Sequence, residues 1–372
     1  MKKKLKNIIE NKKIYLSPYN EEALKLQEKI LSKVQNCNII GFIDDNKIGD
    51  DIVTTDTMDT SVDMVLIVSH NYSYDIYQRI QKKEILHCKF LYIHKFSGKF
   101  SYNLFSDKPL KIVCFGNCQS NIIATMLKRY SNCSYNVKSF RNVEDNLLEN
   151  GILEQIAKSD LIIYQPLDDK YGDLSQTKIE ELAKENNTQA ISFPYIYNDG
   201  IYSLEFDAGK KIIGEKIILD LYLNGQSKES IIEDYINNNI NFKLKRRFKK
   251  SLAIMKNKEK KTDVKLTKFI QKNYQKKKLF YGHNHPTNIV IFELLRQIIQ
   301  KANLKLTVDK SKKIQRLCTP VAPISPYDKE KQGFKFEHTY SFGWSYRGIL
   351  IIEMIISNYI ISNKNSATLK CR

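Results

Sequence analysis

The chain has 372 residues, with 60 Lys and Arg against 41 Asp and Glu, a formal net charge of +19 and 42% hydrophobic residues. That is more length than one domain usually takes, and enough apolar content for real cores. No run reaches the roughly 18 apolar residues of a bilayer span, and no long apolar segment follows the basic start Met1-Lys-Lys-Lys-Leu-Lys6, so neither a membrane-spanning helix nor a signal peptide is expected.

Strands and helices alternate from the start. Lys13–Leu16 reads as a strand, 21–34 as a helix with Leu24, Leu26, Ile30, Leu31 and Val34 inward, and Asn38–Ile43 as a second strand running into Asp44 and Asp45. A third strand is expected over 63–68, a helix over 74–85 and a fourth strand over 90–93. Such alternation argues for a parallel sheet. This part resembles the Rossmann-like N-terminal domains that accompany bacterial sugar-modifying transferases, in which Gly41-Phe-Ile-Asp-Asp45 is a familiar second-strand ending. Such domains normally carry a glycine-rich loop after the first strand. Here the loop is Ser17-Pro-Tyr-Asn20, which keeps a pyrophosphate away from the backbone. The expectation is a domain over 1–105 with dinucleotide binding lost or altered, in a structural or partner-docking role. Ser101–Leu110 reads as a linker.

A second domain is expected over 106–362, followed by a polar tail over 363–372 that frays. Its pattern is strand 111–115, helix 119–131, strand 135–139, helix 143–157, strand 160–164, helix 175–186 and strand 189–193. Helices then dominate: 215–222, 228–238, a long basic stretch over 243–274, 287–302 and 345–362. The fold class is α/β, a Rossmann-like parallel sheet domain followed by a second α/β domain with a helical, basic C-terminal half.

Charge is uneven. Lys243–Lys278 holds sixteen Lys and Arg against two acids, Glu259 and Asp263, and so carries +14 of the +19. Such a segment suits a partner bearing phosphates or carboxylates: a phosphorylated cofactor, an acidic glycan, a membrane surface or nucleic acid. A solvated lysine-rich helix is the plain alternative. No nucleic-acid module accompanies it, which counts against nucleic acid. The seven cysteines (Cys37, Cys88, Cys114, Cys118, Cys133, Cys318 and Cys371) are dispersed without a CxxC pair. That usage suggests a reducing compartment, hence the cytoplasm.

The most informative stretch is Lys111-Ile-Val-Cys-Phe-Gly-Asn-Cys-Gln-Ser120. An apolar strand stops at Gly116, and an amphipathic helix follows with Ile122, Ile123, Met126, Leu127 and Tyr130 on one face. A strand, turn and helix present one side chain, here Cys118, at the carboxyl edge of a parallel sheet. The positive end of a helix dipole favours a thiolate, and the turn offers N–H groups to an anion. The plain alternative is a small buried cysteine. Four further segments stand out: Leu161-Ile-Ile-Tyr-Gln-Pro166; Ile191-Ser-Phe-Pro-Tyr-Ile-Tyr197 with Asn198-Asp-Gly200; Phe280-Tyr-Gly-His-Asn-His-Pro-Thr287; and Pro-rich Arg316–Lys335 leading to Phe336-Glu-His-Thr-Tyr340, whose His338 reads as structural. Pro286 suits the first turn of a helix. His283 and His285 alternate, but no carboxylate or second cysteine stands near them in sequence to complete a metal site, so no metal is expected.

Gly116-Asn-Cys-Gln119, Tyr164-Gln-Pro166, Phe193-Pro-Tyr-Ile-Tyr197 with Gly200, the basic helix leading to Leu279-Phe280, and Asn284-His-Pro-Thr287 together resemble, in order and spacing, the WcbI family of polysaccharide-biosynthesis enzymes, candidate acetyltransferases of capsule assembly. The resemblance implies an α/β fold related to the SGNH/GDSL hydrolases and the binding of coenzyme A (CoA). Cys118 stands where those hydrolases carry their nucleophile, and His285 is the counterpart of their late base. The Asp they keep two or three residues before that His is absent: Gly282, His283 and Asn284 precede His285. A Cys–His pair suits acyl transfer through an acyl-cysteine; direct transfer from CoA to a sugar hydroxyl with His285 as base is the alternative. Asn117 and Gln119 are expected to donate to an oxyanion, with the Cys118 and Gln119 amides. Gln165 is expected in the same crevice, Asn284 beside substrate, and Tyr195 and Tyr197 against a sugar or adenine face. Gly116 and Ser120 of the turn, and Arg246, Arg247, Lys249 and Lys250, are expected to hold the CoA phosphates.

Three readings follow. The first is an acyl-CoA-dependent O-acetyltransferase of a capsular or other cell-surface polysaccharide or its precursor, cytoplasmic or peripheral to the inner membrane face. The second is a GDSL-like esterase or deacetylase using the same Cys118 and His285. The third is a non-enzymatic module that binds CoA, a phosphate or the capsule-assembly machinery.

Overall fold

A computed structural model describes residues 3–69, 72–83, 88–96, 99–104, 109–130, 135–142, 147–149, 151–206, 212–306, 308, 324–336 and 344–370. They belong to two compact units: Met1–Ser192 with Ile298–Gln315, and Phe193–Gln297 with Arg316–Arg372.

The first unit holds two sheets. The N-terminal one follows α1 (Lys3–Ile9) and consists of β1 (Lys13–Ser17), α2 (Glu21–Leu31), β2 (Asn38–Ile43), β3 (Ile52–Val53), β4 (Met64–Ile67), α3 (Ser73–Gln81), β5 (Lys89–Phe96) and β6 (Lys99–Leu104). Its strand order is β3-β2-β1-β4-β5-β6, with β6 alone antiparallel. Successive strand residues point to opposite faces. Ile14, Leu16 and Leu66 therefore enter one core with Ala23, Leu26 and Ile30 of α2, and Tyr15, Val65 and Ile67 enter another with Tyr74, Tyr77 and Ile80 of α3. Burial on both faces explains the continuous apolar runs.

The reading of Ser101–Leu110 as a linker needs correction. Residues 101–104 belong to β6, which pairs with β5 from Phe96↔Lys99 to Leu91↔Leu104. Phe100 is buried in the α2-side core and Tyr102 packs against it, so alternation carries this strand despite its polar neighbours. The helix α1 and the short β3 were not anticipated.

The second sheet consists of β7 (Leu110–Gly116), α4 (Cys118–Tyr130), β8 (Tyr135–Arg141), α5 (Ile152–Ala157), β9 (Leu161–Tyr164), α6 (Gln176–Glu185) and β10 (Gln189–Ser192), in the order β10-β9-β7-β8 and parallel throughout. Val113, Phe115, Ile162 and Tyr164 pack on Ile152, Ile156, Ile179 and Ala183. The helix expected over 143–157 is much shorter, because Gly151 precedes it with φ +69°, outside helical space; 143–146 lie outside the described residues.

The second unit contains the antiparallel pair β11 (Glu205–Phe206) and β12 (Ile212–Ile213), then α7 (Glu215–Leu223), α8 (Lys228–Ile236), α9 (Leu244–Lys258), α10 (Thr267–Asn273), the pair β13 (Phe280–Gly282) and β14 (His285–Pro286), most of α11 (Asn288–Lys301), α12 (Pro326–Gln332) and α13 (Trp344–Lys370). Ile218, Ile231, Tyr235, Ile352, Ile355 and Ile356 knit α7, α8 and α13 into one core. The long basic helix expected over 243–274 is two helices. Glu259, buried after α9, turns its carboxylate onto the backbone N–H groups of Leu266 and Thr267 and caps α10. Thr262, with φ -122° and ψ 153°, is extended and separates the two helices, and Glu259 serves the donors at the start of the second from outside it. α12 occupies part of the Pro-rich stretch Arg316–Lys335, with Ser325 and Asp328 forming a capping box at its start. α13 runs to Lys370, past the end expected at 362, in a stretch without Gly or Pro. Among the described residues no helix is long and apolar enough to cross a membrane.

Candidate active site

β7 leads the second sheet, and later strands add on both of its sides, β8 on one and β9 on the other. Open α/β sheets bind ligands outside the carboxyl ends of their strands at such a reversal. Gly116 closes β7, Cys118 opens α4 and Gln165 follows β9, so all three stand at that edge. Gly116 has φ +153°, and a Cβ there would come within 2.7 Å of Gln165 Oε1. Glycine is needed for Gln165 to lie across the turn.

The turn is held by its own polar groups. The Asn117 backbone N–H donates to Gln165 Oε1 at 2.9 Å, and Gln165 Nε2 donates to Gln119 Oε1 at 3.0 Å. The Gln119 N–H donates to Asn117 Oδ1 at 2.9 Å, and Ser120 Oγ donates to the Asn117 carbonyl at 2.8 Å. Gln119, Ser120 and Gln165 are buried. The Gln119 amide, expected to face an oxyanion, is thus engaged by Asn117. Cys118 is a half-buried thiol outside any disulfide. Cys114, four residues earlier on β7, is fully buried, and burial pushes its thiol up to about 12. The two cysteines differ in kind: one is core, the other stands at a helix start on the sheet edge.

The other predicted residues fall in the second unit. Tyr195, Tyr197 and Asp199 alternate with buried Ile196, Asn198 and Gly200. Asn198 donates its backbone N–H to the His283 carbonyl at 2.7 Å and accepts from the Gly200 N–H. A Cβ on Gly200 would come within 2.1 Å of the Phe248 backbone nitrogen, so glycine is required where this loop meets α9. Tyr197 and Tyr195 are near-parallel, with centroids 5.9 Å apart, and Tyr197 meets the His283 ring edge-on at 5.4 Å. Burial first, and then Asp199, raise the Tyr197 hydroxyl pKa.

His283 and His285 flank the β13–β14 turn, with Asn284 between them. His283 has a carboxylate partner. Glu205 accepts from its backbone N–H at 2.9 and 3.1 Å and lies 3.0 Å from Nδ1, with both side chains almost wholly buried. Such a partner fixes a ring's orientation and tautomer. Glu205 was missed because 78 residues separate it from His283. The available signal was one acid amid Tyr202, Leu204 and Phe206, since an acid in an apolar run is rarely buried unpaired.

The four basic residues expected on phosphate are divided by the structure. The Arg247 guanidinium is engaged by the carbonyls of Asp199, Tyr202, Ser203 and Phe242, and burial lowers its pKa. It clamps the 199–203 loop. Arg246, Lys249 and Lys250 are exposed. Arg246 and Lys250, four residues apart on one helix face, line a cavity of about 500 Å³ with Lys216 and Lys243, beside Asp199, Glu215 and Asp220. Lys249 does not line it. His338 lies outside the described residues.

The model of a family described as polysaccharide biosynthesis enzyme WcbI matches residues 111–307. The chain belongs to the WcbI family. A solved structure, described as WcbI, a novel polysaccharide biosynthesis enzyme, as the native protein without a disulfide bond between CoA and one of its cysteines, is 17% identical to this chain. Its TM-score is 0.50, and the match covers 68% of this chain and 96% of that one. The likeness is one of fold. No curated protein matches the chain.

Proposed function

We propose that the chain is an acyl-CoA-dependent O-acetyltransferase acting on a capsular or other cell-surface polysaccharide or its precursor. The observation that carries this reading is the half-buried Cys118 thiol at the start of α4, on the edge where the β7 sheet reverses. It belongs to a chain of a polysaccharide-biosynthesis family, and the description of the solved structure of like fold, as lacking a disulfide bond between CoA and one of its cysteines, sets CoA beside a cysteine.

In this reading the Cys118 thiolate attacks the thioester carbonyl. The carbon–sulfur bond to CoA breaks and the CoA thiolate leaves. The acceptor hydroxyl gives its proton to His285 and attacks the acyl-cysteine; the ester bond forms, the carbon–sulfur bond to Cys118 breaks and the Cys118 thiolate is restored. Thioester-to-thioester exchange is nearly isoenergetic, so the first step needs little driving force. Asn117, Gln119 and Gln165 hold the turn in shape, and Gly116 and Ser120 keep it tight. Arg246 and Lys250 meet the CoA phosphates, and Arg247 positions the loop beside them. Asn284 orients the β13–β14 turn. We read the second sheet as SGNH/GDSL-related, residues 106–362 as the acyltransferase domain, and 1–105 as a Rossmann-like docking domain. The site of action is the cytoplasm or the inner face of the membrane, beside capsule assembly.

Isothermal titration with CoA, followed by intact-mass analysis after incubation with acetyl-CoA, tests the reading. CoA binding and an acetyl adduct that disappears in Cys118→Ala support it. Ester hydrolysis without an acceptor favours an esterase instead. Absence of CoA binding favours a non-enzymatic module.

A further inference from the structure

α9 places Lys250, Ser251, Ile254, Met255 and Lys258 at helical spacings of three and four, so they share one face. That face, with Tyr195, Tyr197 and Asp199, lines a second cavity of about 420 Å³. The volume falls within the roughly 300–1,000 Å³ range of small-molecule sites. All of its walls belong to the second unit.

The lining is of three kinds. The near-parallel tyrosine rings, together with Ile254, 48% exposed, make an apolar strip. Asp199 is a fixed acceptor. Ser251 Oγ donates to its Oδ1 at 2.6 Å, Tyr197 hydrogen-bonds it, and Arg247 grips its backbone carbonyl. Lys250 and Lys258 are exposed at one helical face, two turns apart. An aromatic strip beside an oriented carboxylate matches a pyranose ring, which offers an apolar C–H face and hydroxyl donors at its edge. Two ammonium groups against the single Asp199 carboxylate leave the lining net positive, which selects an anionic substituent on that ring. Tyr197 also touches His283, so a sugar on this strip would lie against the β13–β14 turn that carries both histidines.

We propose that this cavity binds an acidic saccharide, a uronate-type sugar, as the acyl acceptor, with the ring on Tyr195 and Tyr197, a hydroxyl on Asp199 and the carboxylate at Lys258, the lysine that lines this cavity alone. The proposal rests on the acetyltransferase reading for its role as acceptor, but saccharide binding itself is measurable without it.

The test titrates the full chain with a glucuronate-containing disaccharide, a neutral disaccharide and CoA, by saturation-transfer NMR and calorimetry. The acidic disaccharide is expected to bind more tightly than the neutral one. Tyr195→Ala is expected to weaken both by about tenfold, the loss of one aromatic contact. Lys258→Gln, on an exposed helix face where folding is not at stake, is expected to erase the acidic preference. Equal binding of the two disaccharides overturns the acidic assignment. Tyr195→Ala that weakens CoA and spares the saccharides gives the cavity to the cofactor and overturns the proposal, leaving the acetyltransferase reading intact. CoA binding without saccharide binding does the same. The expected saccharide pattern without any CoA binding supports the cavity assignment and overturns the acetyltransferase reading.

Discussion

Both sheets of the first unit reverse at their leading strand, β1 in one and β7 in the other, and the loops that follow have opposite fates. After β1, the side chains of Ser17 and Asn20 and the Tyr19 N–H turn back on the protein. Ser17 Oγ donates to the Ile43 carbonyl, and Asp44 accepts the Tyr19 N–H. Asn20 caps α2 through the Ala23 N–H and donates to the Val68 carbonyl. The Tyr19 ring packs edge-on to Phe42, and Lys47 covers it. Asp44, the acid after the second strand that would meet a ribose in a dinucleotide site, is engaged by the loop itself. After β7, the same kind of self-contact among Asn117, Gln119, Ser120 and Gln165 surrounds a thiol and leaves it at the helix start. The topology is shared; one loop is tied down by its own side chains, and the other surrounds a thiol at a helix start. Fold position alone does not assign function.

The contrast between groups engaged by the fold and groups presented by it yields graded expectations. Cys118→Ala should lower turnover by roughly 10⁴-fold or more if the thiol is the nucleophile, whereas Cys114→Ala should leave kcat unchanged. Equal kinetics for the two variants would erase the distinction between them. His285→Ala should cost roughly 10²–10⁴-fold in kcat with CoA affinity retained. Glu205→Gln, which disturbs the His283 pair instead, discriminates between the histidines. A loss as large as that of His285→Ala would transfer the base to His283.

Within α9, Arg247→Ala should appear as lost stability of roughly 2–4 kcal/mol in urea unfolding, because buried carbonyls lose a charged donor. Arg246→Ala should leave the urea midpoint unchanged and weaken CoA about tenfold. The reverse assignment of effects would show that the inward guanidinium faces the ligand in solution.

Asp328 supplies a pH test. It is 1% exposed and accepts from the Ser203 and Ser325 backbones, yet burial raises its carboxyl from 3.8 to about 6. A folded-state value above the unfolded one means that the folded protein holds the proton longer. Its contribution is therefore full below about pH 4 and is lost as pH rises to about 6, a decline on the order of 2–3 kcal/mol. Asp328→Asn should flatten that slope, even at some cost in overall stability; an unchanged slope would place its origin elsewhere. The smallest effect belongs to the closed loop. Asn20→Ala removes a helix cap, about 1 kcal/mol, and should leave acyl transfer at the parental rate.

The alternation of strands and helices, the strand Asn38–Ile43 to the residue, and the place of Cys118 where a helix opens after a strand are legible in local pattern. These depend on apolar periodicity and turn residues, which act over a few positions. Tertiary structure decided the rest. Gln165 crosses 48 residues to reach the turn, Glu205 crosses 78 to reach His283, and Arg247 turns inward only because the 199–203 loop brings it carbonyls. The break after α9 likewise depends on where the buried Glu259 carboxylate finds its donors. A run of lysines and arginines reads as one charged helix from composition alone. Which of its cations faces solvent and which is locked into the fold depends on partners that local sequence does not encode.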